Sequence, residues 1–256
     1  MPKLVCFDVA SPFGCFRKGF TTTNALTYGV IPRSAVEGLT ASILGLSRTD
    51  FPDLLKDSKI AVKIASPVRK LNMKYMHINP KWWNETLSHY INNTQFVLQE
   101  TREQIAVPAS VEVLVDPAYG IYIDINEKIN DELSRTLMNR QSYYTPYLGT
   151  SSLIASAKYS GEFEYDYSAN KDYVPVSSII PFSGRIPKIK LEKGSNFAIE
   201  EDITIHVDNE RRPKGTYSVV YAIEPGQIMV IDKDIIEIKE KEKIVYVKFL
   251  PTKVTS

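Results

Sequence analysis

The sequence predicts an α+β fold in which strands outnumber helices, and three observations point to it. Short runs alternate apolar and polar residues, as in Lys59-Ile60-Ala61-Val62-Lys63-Ile64-Ala65. Two segments repeat apolar residues with helical period: Val36, Leu39, Ile43 and Leu46, then Ile129, Leu133 and Leu137. From about residue 170 the texture changes. Pro175, Pro181, Gly184 and Pro187 break the chain, and short β-branched and aromatic runs follow.

Taken in order, Leu4 to Ala10 reads as a first strand rather than a signal peptide, because Asp8 interrupts its apolar run. A loop covers residues 11 to 31. Pro32 suits the first turn of a helix, where its missing N–H costs nothing, and Gly45 loosens that helix near its end. The strand of residues 59 to 65 follows. Residues 67 to 108 form a long polar excursion with cations, aromatics and asparagines, in which Trp83, Leu87, Tyr90 and Ile91 suit one face of a short helix. Residues 111 to 115 and 119 to 125 read as strands paired around Asp116-Pro117. The second helix opens at Asn126 or Asn130, and residues 151 to 168 form one long strand or a hairpin. Without its insertion this is the β-α-β-β-α-β order of the ferredoxin-like fold, which includes the RNA-recognition fold. The second part, residues 169 to 256, is expected to be β-rich, with strands at 217 to 223, 227 to 231, 234 to 240 and 244 to 249 and turns at Pro225-Gly226 and Lys241-Glu242.

The 256 residues, 43% hydrophobic and 24% charged, suffice for a sizeable core in one large domain or two small ones. No run approaches the roughly 18 apolar residues of a membrane span, so no membrane partner is expected and the chain reads as cytoplasmic. Cys6 and Cys15 are the only cysteines. Both are expected free, as small buried residues in a reducing compartment. The net charge of +1 conceals an asymmetry: residues 1 to 81 carry 12 Lys/Arg against 5 Asp/Glu, and the remaining 175 carry 19 against 25. A basic front half is the footprint of a nucleic-acid-binding protein, or a chance distribution of solvated charge.

The sequence carries few motifs of chemistry. The chain has no Walker loop, no GxGxxG, no GxSxG and no HExxH, and no Cys or His pair has structural zinc spacing. No cofactor, metal site or catalytic residue is therefore assigned. His77 reads as a surface residue, His89 as a packing residue near Trp82-Trp83, and His206 as a strand residue. What stands out is composition. Phe16-Arg17-Lys18-Gly19-Phe20-Thr21-Thr22-Thr23 supplies cations, rings and hydroxyls just before a helix N-terminus, which suits phosphates and unstacked bases and equally suits an ordinary surface loop. Arg69, Lys70, Lys74, Tyr75 and Lys81 to Trp83 have the same double reading.

Several blocks in order resemble the CRISPR-associated protein five family, the crRNA 5′-handle-binding subunits of type I Cascade. They are Phe13-Gly14 through Phe16-Arg17; Thr27-Tyr28 through Pro32, with Ala35, Gly38-Leu39 and Ile43 to Leu46; Asp116-Pro117 with Tyr119, Ile121 and Tyr122; and Tyr144, Pro146 to Gly149 and Ser151. Together they span about residues 3 to 160, and their flavour is most like the type I-B variants. The resemblance implies a ferredoxin-like, RNA-recognition-motif domain over residues 1 to 168 with a thumb-like insertion at about 67 to 108, then a β-rich C-terminal region.

The resemblance also implies a role in antiviral defence: a non-catalytic subunit of a ribonucleoprotein complex that caps the 5′ handle of crRNA. It would dock the Cascade large subunit and the adjacent backbone subunit, and meet target DNA only through the complex, where guide pairing reads the sequence. Arg17, Lys18 and Arg33 would neutralise handle phosphates, and Thr21, Thr22, Thr23 and Asn24 would hydrogen-bond sugar or phosphate. Phe16, Phe20 and Tyr28 would stack or pack. Arg69, Lys70, Lys74, Tyr75, His77 and Lys81 would form the RNA face of the thumb. One branch of the family cleaves precursor crRNA without metal. The alternative is therefore a repeat-specific endoribonuclease, with Lys74, Tyr75 and His77 as the nearest cluster. A third reading is a protein-interaction module with an incidental basic half.

Overall fold

The computed structural model describes residues 2–21, 24–78, 106–168, 172–190, 196–240 and 243–253. It is a mixed α+β structure, mostly strands with few helices. The strands are β1 Lys3–Ala10, β2 Phe13–Gly14, β3 Asn24–Ala25, β4 Lys59–Ile64, β5 Lys70–Ile78, β6 Ala106–Val115, β7 Ala118–Asp124 and β8 Ser156–Tyr167. Then come β9 Val174–Val176, β10 Ile180–Phe182, β11 Lys188–Ile189, β12 Phe197–Val207, β13 Pro213–Ala222, β14 Ile228–Ile231, β15 Ile235–Glu240 and β16 Lys243–Lys248. The helices are α1 Arg33–Leu44, α2 Phe51–Leu55 and α3 Glu127–Met138.

Nine strands form one sheet in the order β11-β14-β9-β16-β15-β8-β1-β7-β4. Its end β8-β1-β7-β4 is antiparallel throughout and carries the alternation seen in the sequence. Val5, Phe7, Val9, Ile60, Val62, Ile64, Ile121 and Ile123 point to one face, where Val36, Leu39 and Ile43 of α1 and Leu133 and Leu137 of α3 meet them in the main core. The opposite face of the same strands presents Leu4, Cys6, Ala61 and Tyr122, which Ile236, Ile238 and Val247 of β15 and β16 partly cover. Both cysteines are buried and unbridged, as small core residues.

The helix ends follow local chemistry. Pro32 precedes α1 with extended backbone, and the first N–H, that of Arg33, finds the Tyr217 hydroxyl at 3.3 Å. Gly45 ends the helix in the left-handed region at φ 71°, and its N–H reaches Ala41 O. Asn126 is the cap of α3, its side chain accepting the Ile129 N–H at 3.0 Å. Asn130 lies inside the helix and ties it to β7 instead, donating to Asp124 Oδ1 and accepting from Ile125 N.

The expected pairing of residues 111–115 with 119–125 is corrected. β6 pairs with β5, β2 and β3, whereas β7 pairs with β1 and β4. Asp116 adopts φ 48° between them, so the chain leaves one sheet and enters another instead of closing a hairpin. The long excursion begins and ends as strands, β5 and β6. Three further elements of the second part, β10, β12 and β13, make a separate sheet in the order β10-β13-β12. Ile203, Ile205, Tyr217, Val219 and Tyr221 from it join the main core. The expected helix face with Trp83, residue His89 and the Lys241-Glu242 turn lie outside the described residues.

Candidate nucleic-acid interface

The third sheet gathers the loop and the excursion. β6 is its centre, with β5 antiparallel on one side and the short β2 and β3 on the other. Asn24 of the loop stands opposite Ser110, and Ser110 stands opposite Lys74. Residues directly opposite share a face, so Asn24, Ser110 and Lys74 form one polar row across the sheet. The Ser110 hydroxyl donates to Asn24 Oδ1 at 2.7 Å. Lys70 and Asn72 continue that face along β5, while Leu71, Met73 and Tyr75 alternate onto the other, each substantially exposed.

At the root of the loop a carboxylate cluster fixes its geometry. Glu200 of β12 is buried, yet its oxygens accept from Lys18 Nζ at 2.5 Å, the Gly29 N–H at 3.1 Å and Lys70 Nζ at 3.4 Å. The Tyr221 hydroxyl also reaches it at 3.4 Å. Burial opposes ionisation, but the Lys18 hydrogen bond, the charges of Lys70 and Lys18 and the Gly29 N–H outweigh it, holding the Glu200 carboxyl below the usual range. Glu112 on β6 accepts the Thr27 N–H at 3.0 Å and lies 3.5 Å from Lys70 Nζ. The Lys70 ammonium also donates to Thr27 O at 2.9 Å. The two lysines thus brace the loop, and Lys18 lies over the Tyr28 ring at 5.1 Å.

The expected residues separate into three groups. Arg17, Phe20, Asn24, Arg69, Lys74 and Tyr75 are exposed, and Phe20 is 66% exposed. Arg17 donates to Thr21 O at 2.7 Å and Arg69 lies 3.5 Å from Asp116 Oδ2. Thr21 is half-buried, its hydroxyl donating to Lys18 O. Lys18 and Lys70 are the braced pair. Phe16 and Tyr28 are core residues: Phe16 packs 6.2 Å from the Tyr119 ring, and the Tyr28 hydroxyl donates to Asp202 O. They pack and do not stack on a ligand.

Arg33 is a correction. It has no exposed surface, its guanidinium pairs with Glu37 and it donates to the carbonyls of Lys56 and Ser58. It ties α1 to the segment after α2 and does not neutralise phosphate. His77 stands in β5 opposite Val107. Thr22, Thr23 and Lys81 lie outside the described residues.

Lys74 and Tyr75 are successive residues of a strand and therefore point to opposite faces. Glu200, Glu112 and Ser110 belong to the site although no motif in the sequence singles them out. Ser110 alone carried a signal, as a polar residue opening the run of residues 111 to 115.

The family model described as CRISPR-associated protein (Cas_Cas5) matches residues 4–218. The chain belongs to this family. No curated protein matches it. Among solved structures it is similar to a chain of a CRISPR RNA-guided surveillance complex, at 16% identity and TM-score 0.49, covering 87% of this chain and 91% of that one. It is also similar to a Cas protein solved by crystallography, at 13% identity and TM-score 0.48, covering 88% and 96%. A third is a chain of the type III-B Cmr-beta complex bound to cognate target RNA and AMPPnP, at 14% identity and TM-score 0.43, covering 88% and 86%.

In this Cas_Cas5 family member the Tyr147-Leu148-Gly149 segment has a structural reason. Leu148 is fully buried and its carbonyl accepts the Cys15 N–H at 3.0 Å. Gly149 follows at φ 91°, where a Cβ would stand 1.7 Å from Cys15 O. Only glycine lets this segment lie against the first loop. Among the described residues no helix is long and apolar enough to cross a membrane.

Proposed function

We propose that this chain is the non-catalytic RNA-binding subunit of a type I CRISPR Cascade complex. In this reading it caps the 5′ handle of crRNA and docks the large subunit and the adjacent backbone subunit in the cytoplasm. Membership of the Cas_Cas5 family supports the role. The observation that carries the site is the row Asn24–Ser110–Lys74, which joins the excursion on one sheet to the loop that carries the exposed Arg17 and Phe20. Cations and a ring beside hydroxyls are what a single strand requires.

The order β8-β1-β7-β4, with α1 and α3 on one face, supports a ferredoxin-like, RNA-recognition-motif reading of residues 1 to 168. Residues 169 to 256 are the β-rich region that braces it. The β5–β6 ribbon leads into and out of residues 79–105, which supports a thumb at about 67 to 108. The type I-B subtype rests on the sequence blocks.

The test is to reconstitute the complex with Arg17→Glu and Lys74→Glu together and measure the crRNA that co-purifies. Loss of most of it is the expected result, and normal retention would sink the assignment of this face. Purified chain incubated with repeat RNA in EDTA is expected to leave it intact. A specific metal-independent cut would establish the endoribonuclease alternative, against which the divergence of Lys74 and Tyr75 weighs.

A further inference from the structure

The face of β8-β1-β7-β4 opposite the helices is only partly covered by β15 and β16. Beside them opens a cavity of about 590 Å³. Its lining includes the small side chains of Cys6 and Ala65 and the ring of Tyr122. Gly120, which adds no side chain, stands between Asp8 and Lys63 in register. A Cβ on Gly120 would lie 3.5 Å from both Asp8 Oδ1 and Lys63 Cβ and 3.9 Å from Lys63 Cδ, so a large side chain here would displace both flanking groups. Phe163 forms a wall, its ring lying over the bare backbone of Gly161. Lys243, the first residue of β16, also lines the cavity.

The polar groups are arranged as a pair of opposite ends. Asp8 Oδ2 accepts from the Ser160 hydroxyl at 2.7 Å. Asp8 Oδ1 and the Lys63 and Lys243 ammonium groups have no hydrogen-bond partner among the described residues. Asp8 and Lys63 lie two strand spacings apart, about 10 Å between backbones. Glu240 also lines the cavity and is engaged by the Tyr122 hydroxyl at 2.9 Å. Two carboxylates against two lysines make the site close to neutral, which disfavours a polyphosphate and suits a flat, neutral, two-edged ring.

We propose that this cavity binds a single guanine nucleotide unit. Guanine presents N1–H and N2–H₂ donors on one edge for Asp8, and O6 and N7 acceptors on another for Lys63. Its ring packs against Phe163 beside Cys6, and Lys243 meets its one phosphate. The site is on a different sheet face from the Asn24–Ser110–Lys74 row and does not depend on the handle-capping reading.

The test is calorimetric titration of the full chain with GMP, AMP, CMP and UMP, and with the tetranucleotides UGUU and UUUU. GMP or UGUU is expected to bind at least about tenfold more tightly than its non-guanine counterparts, and the tighter of the two names the source as free nucleotide or RNA. Asp8→Asn, nearly isosteric, is expected to remove that preference by about tenfold or more. Gly120→Leu is expected to abolish binding with an unchanged circular dichroism spectrum. Equal binding of all four bases, no binding at millimolar concentration, or an Asp8→Asn variant that still prefers guanine would overturn the proposal. Loss of crRNA retention in the Arg17/Lys74 variant bears only on the other face.

Discussion

Lys18 Nζ lies 2.5 Å from Glu200 Oε2, an ion pair that joins the first loop to β12 across 182 residues of sequence. Because Glu200 also holds the Gly29 N–H and Lys70, one carboxylate anchors the loop at both ends and ties it to β5. Glu200→Gln is expected to cost about 1.5–3 kcal/mol in urea denaturation, the range for hydrogen bonds to a charged group. A change below about 0.5 kcal/mol would show that the anchor is dispensable.

The same carboxylate predicts a pH dependence. Its folded pKa is depressed below the ordinary 4.5, so the folded state holds fewer protons than the unfolded one in that window. Its contribution is therefore fully present above pH 4.5 and is lost as pH falls through the lower folded value. The stability gap between wild type and Glu200→Gln should narrow on acidification below about pH 4.5. A gap that stays constant to pH 3 contradicts this.

Arg33 and Glu37 form a buried pair on α1, with Nε and Oε1 3.0 Å apart but not aligned as a hydrogen bond. Burial pushes the Glu37 carboxyl up and the Arg33 guanidinium down, each opposed by the other's charge. His206 adds a second contact to Glu37 at 3.1 Å. Glu37→Leu alone should destabilise by about 3–5 kcal/mol, because it strands a buried cation. Arg33→Met with Glu37→Leu should cost clearly less than the two single changes added together. Simple additivity in the double-mutant cycle would refute the pairing.

Gly149→Ala places a Cβ against Cys15 O and strains φ 91°. We expect destabilisation of at least about 2 kcal/mol, or a fall in Tm of about 4–8 °C. Gly19→Ala, with nothing within 4 Å of the new Cβ, is the control and should move Tm little.

Handle binding through phosphates should weaken with salt. The Arg17→Glu/Lys74→Glu chain should show a shallower dependence of log K on log salt, by about 0.7 for each phosphate of single-stranded RNA that is no longer neutralised. An unchanged slope would place the phosphate-binding cations elsewhere.

Much of the α+β framework was legible because its signal is local. Val36, Leu39 and Ile43 announce α1 by spacing, and Ile60, Val62 and Ile64 announce β4, since one buried face forces a period on the sequence. Pairing was harder. Residues 111–115 and 119–125 looked like a hairpin because they are neighbours, but Asp116 at φ 48° sends them into different sheets, a turn that short-range pattern does not report. Glu200 was hidden for a similar reason: the register of β12 shifts between Glu200 and Ile203, so the alternation that would mark an inward carboxylate is broken.

The candidate site divides along the same line. The residue types in 16–24 and 69–75, the basic excess before residue 82 and the family blocks are properties of the sequence alone. Composition, however, treats every Lys, Arg and Phe alike. Only the tertiary structure separated Arg17, Phe20 and Lys74, which face solvent, from Lys18 and Lys70, which brace the loop, and from Arg33, Phe16 and Tyr28, which are buried. The physical reason is that exposure and charge pairing depend on partners distant in sequence. The β12–β13 sheet that supplies Glu200, Asp202 and Tyr217 begins more than 160 residues after the loop it fixes.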